Sequence, residues 1–153
     1  MPAGHELERL AETALAAAMA GGAVVDRAHR DPRAGLHPER KASSGDYVTE
    51  TDRASERAVA GVLESETGLP VLGEEEGGRR AERYWVVDPL DGTTNFIHGH
   101  PIVGVSVALI EHGRPAAGAV HAPLLGSSWL GARGSGAEAR DGSGPAADAG
   151  VGP

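Results

Sequence analysis

No cysteine occurs anywhere in the chain. That absence excludes a disulfide framework, a thiolate zinc centre and a cysteine nucleophile, so any metal must be held by carboxylate, histidine or backbone oxygen. Aromatic residues are scarce as well, at 3%, and 23 glycines lie among many alanines. Pattern and spacing therefore carry more weight here than residue propensity. Basic charge is also short: 14 Lys and Arg against 22 Asp and Glu give a formal net charge of -8. Nucleic-acid backbones and anionic membranes both need a basic footprint, and an acidic chain suits cations better. Long apolar runs are missing too, because Glu6, Glu8, Arg9 and Glu12 interrupt the alanine-rich amino terminus before a signal core forms. The expectation is a cytoplasmic protein with neither nucleic acid nor membrane as its partner.

What is present is 153 residues, 40% of them hydrophobic, which suffices for one domain with a core but not for two. From Glu6 to about Ala28, the residues Leu7, Leu10, Ala14, Leu15, Ala18 and Val25 recur at helical spacing, and Gly21-Gly22 permits a close helix contact. Asp31 to Gly45, with two prolines and several basic residues, reads as a mobile surface loop. A second helix follows, capped by Thr51 or Asp52, with Ala54, Ala58, Val59, Val62 and Leu63 as its apolar stripe and Gly68-Leu69-Pro70 as its stop. The period then changes. Val71-Leu72, Tyr84 to Val87, Ile102 to Ile110, Ala117 to His121 and Ser127 to Ala132 read as strands, with a turn at His112-Gly113. The fold class expected is α+β, a layered sandwich of two amino-terminal helices on a mostly antiparallel sheet. Residues 1–133 form the domain, and residues 134–153, almost all Gly, Ala, Ser, Pro and Asp, form a low-complexity, disordered tail.

A strand ending in Asp88-Pro89-Leu90-Asp91-Gly92-Thr93 places two carboxylates and one carbonyl where the chain must turn sharply. Hard divalent cations such as magnesium take oxygen ligands, and Asp88, Asp91 and the Leu90 carbonyl meet that need. Gly92 and Thr93 would present backbone N–H groups suited to phosphate oxygens. A second acidic stretch, Glu74-Glu75-Glu76, reaches the same edge if the strand at Val71 pairs beside the strand at Tyr84. Alone, three glutamates read as a solvated charge run, and beside the aspartate motif Glu74 reads as a ligand.

Asp88-Pro89-Leu90-Asp91-Gly92-Thr93-Thr94-Asn95-Phe96 resembles the Asp-Pro-(Ile/Leu)-Asp-Gly-Thr-x-Asn-Phe pattern of the inositol monophosphatase family. Val71-Leu72-Gly73-Glu74-Glu75 is similar to the Gly-Glu-Glu element that precedes it there. Lys41 through Tyr47-Val48-Thr49-Glu50-Thr51-Asp52 is similar to the lysine-bearing loop that leads into Thr-Asp. The resemblance implies a layered sugar-phosphatase fold and magnesium-dependent, lithium-sensitive hydrolysis of a small phosphate monoester, inositol monophosphate first. It makes Glu74, Asp88, Leu90 (through its carbonyl) and Asp91 the metal ligands, and Glu74, Asp52 and Thr93 the catalytic residues. Asp52 and Thr93 would orient the attacking water, and Asp91, Gly92 and Thr93 would hold the phosphate. Lys41 would lie on a closing loop, and Glu75 would support a ligand. Family members commonly form dimers, so a homodimer is among the expected assemblies.

Each residue also has a plainer role open to it. Asp52 serves equally as a helix cap, Thr93 and Asn95 as turn residues, Lys41 as a solvated lysine, and His98 and His100 as surface residues, since imidazole suits magnesium poorly. Trp85 and Phe96 are expected in the core. The family's later Trp-Asp-x-Ala segment, whose aspartate completes a second metal site, has no counterpart, because Trp129 is followed by Leu130-Gly131. The resemblance covers residues 5–142, about the first half of a family member. A truncated, non-catalytic fragment that binds magnesium and phosphate weakly is the alternative to an enzyme, and sugar, histidinol or nucleotide phosphates are alternative substrates.

Overall fold

Leu7, Ala11, Ala14, Leu15, Ala18 and Val25 all lie on the buried side of one long helix, α1 (Pro2–Arg30). In the computed structural model, which describes residues 2–31, 41–73 and 80–141, α1 lies across the middle of a six-stranded sheet with α2 (Lys41–Thr67) beside it. The helices meet closely because Gly21 has no side chain. A Cβ there would stand 2.6 Å from Val59 Cγ2 and 2.8 Å from Ser55 Oγ.

The second helix begins at Lys41, not at the cap expected near Thr51 and Asp52. The expected loop is thereby shortened, and its residues 32–40 lie outside the described ones. No proline stands between Lys41 and Pro70, and the interior glycines Gly45 and Gly61 cost the helix only about 1 kcal/mol each. Tertiary contacts support the early start. Tyr47 donates its hydroxyl to the Ala28 carbonyl at 2.9 Å, and Thr51 donates to the Tyr47 carbonyl four residues back at 2.8 Å, the bond of a residue inside a helix.

The sheet runs β1 (Val71–Gly73), β2 (Arg83–Asp91), β3 (Gly104–Glu111), β4 (Arg114–Ala122), β5 (Ser127–Ala132) and β6 (Gly136–Asp141), side by side in that order. The first pair is parallel and the rest are antiparallel, which makes the sheet mostly antiparallel, as expected. Trp85, Val87, Val105, Val107, Leu109, Ala119 and Leu130 alternate onto the helix side and form the core with Phe96. The Trp85 indole is satisfied by donating to Thr67 Oγ1 at 3.0 Å. Val86, Val120 and Trp129 lie on the opposite face and are exposed.

The tail expected from Gly134 onward is ordered through Asp141, because β6 pairs along the length of β5. Composition pointed the other way because it registers apolar burial alone. This strand is held by ladder hydrogen bonds and by Arg140, which bonds both Glu12 of α1 and Glu138. Residues 142–153 lie outside the described ones. No described helix is long and apolar enough to cross a membrane.

Candidate metal and phosphate site

In a regular strand, side chains three residues apart point to opposite faces, so Asp88 and Asp91 should diverge. They do not, because β2 bulges between them. Asp88 pairs with Ser106 and Asp91 with Gly104, so Pro89 and Leu90 together oppose the single residue Val105. Ser106 and Gly104 are two apart and share a face of β3, which puts both aspartates on that face. Pro89 and Leu90 turn inward and are buried, while Asp88 is half-buried and Asp91 exposed. Proline suits the bulge because it has no N–H to leave unpaired.

Beyond Asp91 the chain reverses at Gly92, whose φ of 94° favours glycine. A Cβ there would also stand 2.9 Å from the Ile102 carbonyl. Asn95 donates to that same carbonyl at 2.8 Å and so serves the turn, as its plainer reading holds. The short helix α3 (Thr93–Ile97) follows, packing Phe96 into the core. Its first N–H groups have no acceptor within the helix. Thr93 Oγ1 lies 3.4 Å from the Leu90 carbonyl oxygen, and the Leu90 N–H donates to Asp88 Oδ1 at 3.3 Å. The bulge thus brings together Asp88, the Leu90 carbonyl, Asp91 and Thr93.

Asp52 is buried in the interior of α2, and its role as a cap is excluded by the helix start at Lys41. One turn further on, Ser55 donates its hydroxyl to the Pro89 carbonyl at 2.8 Å, with no exposure to solvent. Asp52 therefore lies one helical turn from the bulge, on the helix side of β2. Glu56 is also buried, with its carboxylate against the Gly73 backbone: a Cβ on Gly73 would stand 2.3 Å from Oε1. Ser55 and Glu56 were missed by the sequence reading. Their signal was present as polar residues three and four after Asp52, on the face where an apolar stripe was expected.

Glu74 and Glu75 lie outside the described residues. Gly73, immediately before them in sequence, pairs with Val87, immediately before Asp88. Lys41 is the first residue of α2, and its side chain is outside the described ones. His98 and His100 are exposed, and His98 Nδ1 bonds the Thr94 carbonyl at 3.1 Å, a local surface role.

Among the described residues no group of three His, Asp or Glu side chains converges on one point. Two carboxylates and a backbone carbonyl do share one bulge, an all-oxygen donor set that fits a hard cation and lacks the nitrogen or sulfur a zinc centre favours. A cavity of about 750 Å³ opens elsewhere, between α1 and the β5–β6 edge, and holds no residue of the motif. Donor chemistry rather than volume therefore locates the site.

The model of the inositol monophosphatase family matches residues 6–149. The chain belongs to the inositol monophosphatase family. A relative named Nus factor SuhB, from Pasteurella multocida, is 38% identical over 132 residues, which cover 84% of this chain and 49% of that protein. A histidinol-phosphatase of Mycobacterium tuberculosis is 47% identical over 93 residues, 59% of this chain and 36% of that one. The solved inositol monophosphatase of Anabaena matches the fold with a TM-score of 0.69 at 31% identity, over 88% of this chain and 48% of its own. The chain therefore spans about half the length of these relatives, or less. The α2–β2 contact and the bulge both lie within the residues that the family matches.

Proposed function

We propose that the chain carries the metal- and phosphate-binding half of a magnesium-dependent phosphomonoesterase, with inositol monophosphate as its first substrate. The bulge that aligns Asp88 and Asp91 beside the Leu90 carbonyl carries this reading. Those three groups hold the cation, with Glu74 as the further ligand. The chemistry supplied by bound magnesium is neutralisation of phosphate charge and acidification of water. The N–H groups at the start of α3, at Gly92 and Thr93, receive phosphate oxygens. Asp52 and Thr93 orient the water for in-line attack, Lys41 closes over the substrate, and Glu75 supports a ligand. Because the motif recognises phosphate and metal, the alcohol is chosen elsewhere, which agrees with the different alcohols in the relatives' names.

The test is magnesium-dependent phosphate release from inositol monophosphate by this chain, Asp88→Asn and Asp91→Asn. The intact chain is expected to release phosphate only with magnesium, and each variant to fall by at least about 100-fold. Equal rates for all three would sink the catalytic reading. A second reading follows from the span of about half of the relatives: a fragment that binds magnesium and phosphate weakly without turnover. Magnesium binding by calorimetry, lost in Asp88→Asn and accompanied by no release, selects it.

A further inference from the structure

The bulge in β2 poses a problem of backbone accounting. Pro89 and Leu90 face one residue of β3, so the regular ladder lapses between Asp88 and Asp91. On the other side β1 pairs only as far as Val87, so among the described residues no strand reaches Pro89 there. Pro89 is fully buried, and a buried carbonyl without a donor is costly. Its donor comes from a helix. Ser55 Oγ bonds the Pro89 oxygen at 2.8 Å, and Ser55 has no exposure to solvent. The hydroxyl is further confined by Gly21, where even a Cβ would stand 2.8 Å from it.

We propose that Ser55 is a positioning residue of the metal site: by holding the Pro89 carbonyl on the helix side, its hydroxyl keeps the bulge that sets Asp88 and Asp91 on one face. This rests on the magnesium reading above. The adjoining peptide then presents the Leu90 carbonyl toward Thr93. Without the hydroxyl, the carbonyl seeks a ladder partner, the extra residue is absorbed, and the two carboxylates part. Ser55 touches neither metal nor substrate. It acts through the backbone of the segment that does.

Three forms of the full chain separate this role from general support of the fold: the parent, Ser55→Ala, and Val59→Ala, which removes packing from the same helix face but keeps the hydroxyl. Magnesium chloride is titrated into each by calorimetry, and amide exchange is read at Leu90 and Asp91. Ser55→Ala should bind magnesium about ten-fold more weakly, the scale of losing a group that orients ligands. Its Leu90 and Asp91 amides should also exchange faster. Val59→Ala should lower the melting temperature at least as much, yet keep magnesium affinity within about two-fold, since it leaves the ligands' support in place. Unchanged affinity and exchange in Ser55→Ala overturn the proposal, as do equal losses of affinity in both variants. If the parent takes up no magnesium while Leu90 still exchanges faster in Ser55→Ala, the metal reading has failed, and Ser55 holds the bulge without serving a metal.

Discussion

The two long helices lie side by side on one face of the sheet, yet they bury opposite kinds of residue. The buried surface of α1 is Leu7, Ala11, Ala14, Leu15, Ala17, Ala18, Gly21, Gly22 and Val25, without a polar side chain. That of α2 holds Thr51, Asp52, Ser55 and Glu56 between Val48 and Val59. A helix that served packing alone would not carry two buried carboxylates, because each loses hydration that only well-placed partners restore. α1 therefore supplies cohesion, and α2 gives up part of its cohesion to hold polar groups against the bulge. Substitutions in α1 should act on stability, and those in the polar stretch of α2 on chemistry.

The largest effect should come from breaking the close approach on the α1 side. Gly21→Val pushes a branched side chain into Val59 and Ser55, and overpacking at such a site costs about 3 kcal/mol. Urea unfolding should show a lower midpoint with an unchanged slope. On the α2 side, Asp52→Asn should leave unfolding free energy within about 1 kcal/mol while slowing phosphate release about 100-fold, the lower range for a group that handles a proton. A variant that loses stability but turns over normally would make Asp52 a packing residue and erase the contrast between the helices.

Much of this contrast was legible in the sequence, and the remainder shares one physical cause. The apolar spacing of α1, the close contact at Gly21 and the strand at Ser127–Ala132 are local patterns, and they appear where expected. The motif from Asp88 to Phe96 named the site for the same reason. The bulge was not legible, because the spacing of Asp88 and Asp91 acquires its meaning only from pairing with Ser106 and Gly104, far along the chain. The start of α2 was misplaced because the anchor of Tyr47 is the Ala28 carbonyl on another helix. β6 was missed because its partners are β5 and Glu12 rather than an apolar core. Ser55 was missed because its partner, the Pro89 carbonyl, lies 34 residues further along the chain.

A smaller effect tests a titratable group packed against α1. The His121 ring packs against Gly22 of α1, and its Nδ1 lies 2.7 Å from Ser128 Oγ. Burial holds its pKa below 6.5, opposed in part by a hydrogen bond that the ring donates to the Ser127 backbone. The folded chain therefore resists a proton that the unfolded chain accepts. Stability should be full above pH 6.5 and fall as pH drops from there toward the lower folded pKa. His121→Gln should flatten that slope in melting temperatures measured between pH 7.5 and pH 5, a window of about 2.5 units around the histidine range. A slope that persists in the variant would assign it to carboxylates instead.

The smallest effect should lie where α1 meets β6, at the ion pair of Glu12 and Arg140. The hydrogen bond from Arg140 lowers the Glu12 pKa below 4.5, against a smaller opposing effect of burial, and raises that of Arg140. A depressed carboxylate contributes stability above its unfolded pKa, and that contribution is lost as pH falls below 4.5 through the folded value. The Glu12 side chain is 52% exposed, so water and salt screen the pair and Arg140→Leu should cost only about 0.5 kcal/mol. Added sodium chloride should remove most of that difference, and magnesium affinity should be untouched, because Arg140 lies across the sheet from Asp88. The informative result is amide exchange: if β6 frays in Arg140→Leu while β2 keeps its protection, cohesion on the α1 side is local and the bulge stands without it. Coupled loss of protection in β2 would instead mean that α1 transmits its packing to the site, and the division of labour between the helices would fail.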